Sequence, residues 1–175
     1  MESKYLIPVN GLAPGKTEFC WSVGKEFFEE FGNTEVLDAD FIVRAEAEKS
    51  EGCVRIDCRA EGTVTVSCDR CLSDLVIGIE PHISLNVRHE GSEVADTDDE
   101  REEIILGEDE AFLDMAQIIY DYACLSLPMH RVHADRECDS SVADLIGGGE
   151  PVRTEEDKTG ESPFAVLKGM FDKMN

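Results

Sequence analysis

Basic residues are scarce in this sequence, with 16 Lys and Arg against 39 Asp and Glu and a formal net charge of −23. Such a surface repels phosphate at long range, so direct, non-specific binding to DNA or RNA is not expected. Long apolar runs are missing as well. No stretch approaches the roughly 20 residues that a membrane-spanning helix needs, and the start Met1-Glu2-Ser3-Lys4-Tyr5 has no apolar signal-peptide region. The expectation is a cytoplasmic protein that is neither exported nor membrane-inserted. Also missing are a phosphate-binding glycine loop and a nucleophile elbow. His82 and His89 have no Ser, Cys or acid beside them in a catalytic order. No residue is assigned a catalytic role, and the chain is read as non-enzymatic.

What is present suits one hydrophobic core: 175 residues, 42% of them hydrophobic, with one Trp, three Tyr and eight Phe. The acidic excess favours encounter with a basic partner, such as a ribosomal or histone-like protein, by electrostatic steering. Its other reading is solubility alone.

Period-two alternation runs through Phe41, Val43, Ala45 and Ala47, then Val54, Ile56, Cys58 and Ala60, then Val64, Val66 and Cys68. It predicts a meander of short strands with turns at Glu51-Gly52 and Glu61-Gly62. Leu75, Ile77, Ile79, Ile83, Leu85 and Val87 continue it as one long strand bent at Pro81. Residues 90–110 hold eleven acidic residues and one basic residue, Arg101, which predicts a disordered, solvated loop.

From Met115 the period becomes helical through Ile118, Ile119, Tyr122 and Leu125, with Asp114 and Gln117 spaced as a capping box and Pro128 as the stop. Gly147-Gly148-Gly149 opens a flexible linker over 147–161. Ser162 and Pro163 start a C-terminal helix over 162–175 that carries the apolar stripe Phe164, Leu167 and Phe171. That stripe is a candidate partner-binding face; packing back on its own sheet is the alternative. The expected fold class is α+β: an antiparallel β-sheet or partly open barrel of short strands with one core helix and a C-terminal helix. Residues 1–146 are expected to form one β-rich domain.

Seven cysteines in a chain without an export signal read as core residues or metal ligands rather than disulfides. Cys68-Asp69-Arg70-Cys71 has the C-x-x-C spacing of a metal knuckle, and about sixty residues on His133 and Cys138 bracket a short loop. Together Cys68, Cys71, His133 and Cys138 make a Cys₃His set suited to structural zinc, with His130 as an alternate fourth ligand. The plainer alternative is four small buried thiols and an exposed imidazole. C-x-x-C also serves thiol–disulfide oxidoreductases, but those cysteines sit at helix N-termini in a βαβ setting, and Leu72 onward reads as strand. Cys20, Cys53, Cys58 and Cys124 lack partners at metal spacing and are expected to be buried as small apolar groups.

The combination Cys68-Asp69-Arg70-Cys71-Leu72, Leu113-Asp114, Leu125-Ser126-Leu127-Pro128, Val132-His133, Cys138 and Ser162-Pro163-Phe164-Ala165-Val166-Leu167 resembles the YceD family, the large ribosomal RNA subunit accumulation proteins. The resemblance runs from about Val64 to the C-terminus. It implies a bacterial cytoplasmic or plastid factor, without catalytic activity, needed for accumulation of large-subunit ribosomal RNA. With the charge, it suggests an accessory factor that binds a basic ribosomal protein or a large-subunit precursor. The competing readings are a C-x-x-C oxidoreductase and a zinc-stabilised adaptor unrelated to the ribosome.

Overall fold

The computed structural model describes residues 4–50, 52–91, 101–134, 137–138 and 142. The linker at 147–161, the C-terminal helix at 162–175, and with them Phe164, Leu167 and Phe171, lie outside the described residues.

The centre of the molecule is a long hairpin of β3 (Val36–Ser50) and β4 (Cys53–Ser67), paired antiparallel from Val36↔Val66 to Ser50↔Cys53. Its turn uses Gly52 at φ +86°, a conformation that costs glycine little. β2 (Gly15–Gly24) pairs with the outer side of β3. The other side of β4 is shared end to end by β5 (Asp74–Ile79) and β6 (His82–His89), and Pro81 lies between them. The Ala60 N–H donates to the Pro81 carbonyl at 3.0 Å and holds the junction on the sheet. β7 (Glu102–Leu106) then pairs parallel to β6, giving a six-stranded sheet that stays open rather than closing into a barrel. A separate ribbon joins β1 (Leu6–Ile7) to β8 (Leu113–Asp114).

One face of the sheet is apolar, as the alternation requires. Phe41, Val43, Ala45 and Ala47 of β3, Val54, Ile56, Cys58 and Ala60 of β4, and Ile83, Leu85 and Val87 of β6 are all buried. Helices α1 (Lys25–Glu30) and α2 (Ala116–Leu125) contribute Phe27, Phe28, Ile119 and Ala123 to the same core. Phe28 meets Phe41 edge-on at 6.2 Å, and Phe31 stacks on Tyr120 at 4.4 Å, so aromatic contacts join α1 to both sheet and α2. Ile119 is 2% exposed, and burial of such a side chain contributes about 2 kcal/mol.

The α+β class holds, and four details differ from expectation. First, Glu61-Gly62 is no turn: β4 runs straight through it for 15 residues. A Cβ on Gly62 would come within 2.5 Å of the Cα and Cβ of Phe41, so this glycine exists for close strand approach rather than reversal. Second, the acidic segment is not all loop. Ile104 and Leu106 turn inward as part of β7, while Arg101 ion-pairs with Asp57 and Arg88 with Glu103. The rest of that stretch, 92–100, lies outside the described residues.

Third, the Asp114–Gln117 capping box does not form. Asp114 accepts from the Ala116 N–H at 2.9 Å, and Gln117 donates instead to Asp121. Leu125, placed on the buried stripe by its spacing, is 80% exposed because the core face follows Met115, Ile119 and Ala123. Fourth, Cys20 is exposed, since it alternates with buried Trp21 along β2. Of the other three, Cys53 and Cys124 are only half-buried, and Cys58 is buried, where burial beside Asp57 pushes its thiol up to about 12.

Candidate metal centre

Cys68 and Cys71 occupy the loop joining β4 to β5. The loop folds tightly: the Cys68 N–H donates to the Ser73 carbonyl and the Leu72 N–H to the Cys68 carbonyl, both at 2.9 Å. This reversal puts Leu72 at φ +62°, the left-handed region that a Cβ disfavours. The Arg70 N–H points at Cys68 Sγ, 3.4 Å away, as a backbone donor suited to a thiolate. Cys68 is 0% and Cys71 4% exposed, so both sulfurs face inward.

The chain leaving α2 reaches this loop through a paired contact. The Asp69 N–H donates to the Arg131 carbonyl at 2.7 Å, and the Asp69 carboxylate accepts the Arg131 N–H at 2.7 Å. The Arg131 guanidinium also bonds Glu35 at 3.2 Å. Two residues on, His133 Nε2 lies 3.1 Å from the Asp74 carbonyl of β5. A carbonyl only accepts, so the Nε2 proton is fixed there and Nδ1 is left with its lone pair.

That lone pair points at sulfur. His133 Nδ1 lies 3.5 Å from Cys71 Sγ and 3.9 Å from Cys138 Sγ, and Cys138 Sγ is 4.0 Å from Cys68 Sγ. All four donor atoms fall within 4.8 Å of one another. A tetrahedral ion with metal–sulfur bonds of ~2.3 Å has sulfur–sulfur edges of roughly 3.8 Å, so these separations fit one ion between the four groups. The donor set fits too: three thiols and one correctly oriented imidazole whose far nitrogen is held by a backbone carbonyl. The cluster can bind a metal ion. His130 is exposed and is not part of it.

Of the three thiol and imidazole shifts at the cluster, that of Cys68 runs toward the form a ligand requires. Burial pushes the Cys68 thiol up, but backbone N–H groups of Cys71, Arg70 and His133 and the neighbouring Cys71 thiol overcome it and bring it to about 6. His133 is raised, first by its bond to Cys68, a shift toward the imidazolium whose Nδ1 proton a bound metal ion would displace. Cys138 is raised by burial and by the adjoining Cys71 and Cys68 sulfurs.

Two partners in this architecture had no assigned role in the sequence: Asp69 and the Asp74 carbonyl. The signal for Asp69 is local, since an Asp inside a tight C-x-x-C turn commonly bonds nearby backbone. The Asp74 contact is made by main chain and leaves no side-chain trace.

Fold and centre together define an α+β protein whose open, mainly antiparallel sheet carries a cysteine–histidine cluster joining a strand loop to the segment after the core helix. The family model described as "Large ribosomal RNA subunit accumulation protein YceD" matches residues 56–171, and the chain belongs to that family. No curated protein and no solved structure matches it. The matched span contains all four members of the cluster. Among the described residues no helix is long and apolar enough to cross a membrane.

Proposed function

We propose that the protein is a non-enzymatic accessory factor in large-subunit ribosomal RNA accumulation. It binds a basic ribosomal protein, free or on a precursor particle, through its acidic surface in the cytoplasm. The observation that carries this reading is the net charge of −23 on a chain of the large ribosomal RNA subunit accumulation family. Such a field opposes phosphate and accelerates encounter with Lys- and Arg-rich surfaces, so the effect on RNA is indirect. Cys68, Cys71, His133 and Cys138 hold a structural zinc ion, because four protein N and S donors leave no position for water or substrate.

The test is sedimentation of cell extract on a ribosome gradient with the protein followed by blot, together with affinity capture after RNase treatment. The expected result is co-migration with large-subunit precursors and recovery of a basic ribosomal protein that survives RNase. Recovery of precursor RNA after all ribosomal proteins are stripped away contradicts the reading.

One observation favours thiol–disulfide exchange instead, namely the Cys68 thiol lowered to about 6. Its setting argues against it. Both C-x-x-C sulfurs are buried, they lie in a strand loop rather than at a helix N-terminus, and a thiolate is equally what a zinc ligand requires. Insulin reduction by the metal-free protein decides between the two.

A further inference from the structure

Among the described residues, β5 is bonded to the sheet along one side only. Its register with β4 runs Ser67↔Asp74, Val66↔Leu75, Val64↔Ile77 and Gly62↔Ile79. The Ser73 carbonyl accepts from the Cys68 N–H, so Ser73 directs its backbone groups toward β4. Antiparallel alternation then directs those of Leu75 and Ile77 toward β4 as well, and those of Asp74, Val76 and Gly78 away from it. The Asp74 carbonyl meets His133 on that outer side. Beyond this contact, among the described residues, no strand pairs with the outer side of β5.

The other edges of the sheet carry the usual guards against strand addition. β2 has Lys16 and Glu18, and β7 is five residues long with Glu102 and Glu103. β5 has no charge after Asp74 and no proline. Val76 is 63% exposed, and Leu75 and Ile77 are only half-buried, so the core under this edge is partly open. Asp74 and Glu80 are exposed around it, against Arg70, while the Asp69 carboxylate is taken up by Arg131. A second copy of the chain would bring −23 against −23 at the same edge, which charge opposes.

We infer that the edge of β5 from Val76 to Gly78 takes up an extended, basic segment of a partner protein as an added strand, with alternate apolar residues set against Leu75 and Ile77. Backbone bonds to Val76 and Gly78 give the affinity, and the Asp74 and Glu80 carboxylates select Lys and Arg. This deepens the reading that the partner is a basic protein and rests on it. The metal cluster adjoins the docking edge: His133 occupies the Asp74 carbonyl, so the added strand starts where the clasp ends.

The test is residue-resolved amide hydrogen exchange on the full, metal-loaded chain with a synthetic peptide of alternating Lys and Val. In the free protein Leu75 and Ile77 exchange slowly and Val76 and Gly78 fast. Peptide slows Val76 and Gly78 about tenfold, as one added hydrogen bond does. Val76→Pro, which removes an outward N–H and leaves the bonds to β4 intact, weakens peptide binding about tenfold at unchanged metal content, whereas Val76→Ala binds normally. If Val76→Pro fails to fold, the exchange pattern of the unaltered chain decides alone.

Slow exchange at Val76 and Gly78 in the free chain overturns the inference, because the edge would then already be paired. Peptide binding without protection there overturns the edge and spares the acidic-surface reading. Absence of any peptide binding contradicts both.

Discussion

His133 gives its Nε2 proton to the backbone of Asp74, 3.1 Å away, and so presents Nδ1 to Cys71 at 3.5 Å. One main-chain carbonyl thereby selects the ring orientation and tautomer that a metal ligand requires. It also explains why His133 rather than His130 completes the cluster. Both rings lie within reach of Cys138 in sequence, but only His133 is held against the start of β5.

Leu72 sits in the left-handed region at φ +62° with 75% of its surface exposed, so its side chain has strain and little burial to offset it. Leu72→Gly is expected to raise the stability of the metal-loaded protein by about 0.5–1 kcal/mol, the strain relieved less the extra freedom of the unfolded glycine. Urea unfolding checks it. A loss of stability would show that the leucine side chain is held by contacts the exposure does not reveal.

Gly62 is the opposite case. Gly62→Ala places a methyl against Phe41, and the strands must separate or Phe41 must leave its position. The expected cost is about 3 kcal/mol, measured as a fall in both melting temperature and urea midpoint. An unchanged midpoint would mean that β3 and β4 do not approach closely at this step.

Asp57 gives a pH signature. Burial raises its carboxyl, but the Ser84 hydroxyl at 2.9 Å and the Arg101 guanidinium at 3.0 Å outweigh it and hold it below the usual carboxylate range. A carboxylate depressed on folding binds fewer protons than it does unfolded. Its contribution is therefore present above the unfolded value of about 3.9 and is lost as pH falls through the lower folded value. Asp57→Asn should melt below the wild type near neutral pH, with the gap closing in acid; a gap independent of pH would point to altered packing instead. The effect is modest, because the pair is partly solvated.

Much of this structure is legible in the sequence. Even-numbered burial through Val54, Ile56, Cys58 and Ala60 continues unbroken in Val64 and Val66, so the face of β4 follows from alternation alone. What alternation cannot distinguish is whether a glycine between two such runs reverses the chain or lets a neighbour come close, and Gly62 does the second. β7 was hidden for another reason. A charge count over residues 90–110 averages away the run Ile104-Ile105-Leu106, and Ile104 and Leu106 are enough to seat a short parallel edge strand once Arg88 and Arg101 neutralise acidic neighbours.

α1 left a weaker trace still. Six residues give less than two full turns of periodicity, and its position is decided by Phe27 and Phe28 packing on Tyr5, Phe41 and Tyr120. Within the cluster, the C-x-x-C half is legible because it is local. The His133–Cys138 half depends on where α2 delivers the chain, and the Asp69–Arg131 contact that guides it is made largely by backbone.

The most direct test is the metal content of protein purified without chelator, measured alongside Cys68→Ser and Cys138→Ser. The account predicts one zinc per chain, lost in each variant together with several kcal/mol of folding stability, since a closed structural site of this type contributes on the order of 10 kcal/mol. Protein that holds no metal, with both variants as stable as the wild type, would contradict it.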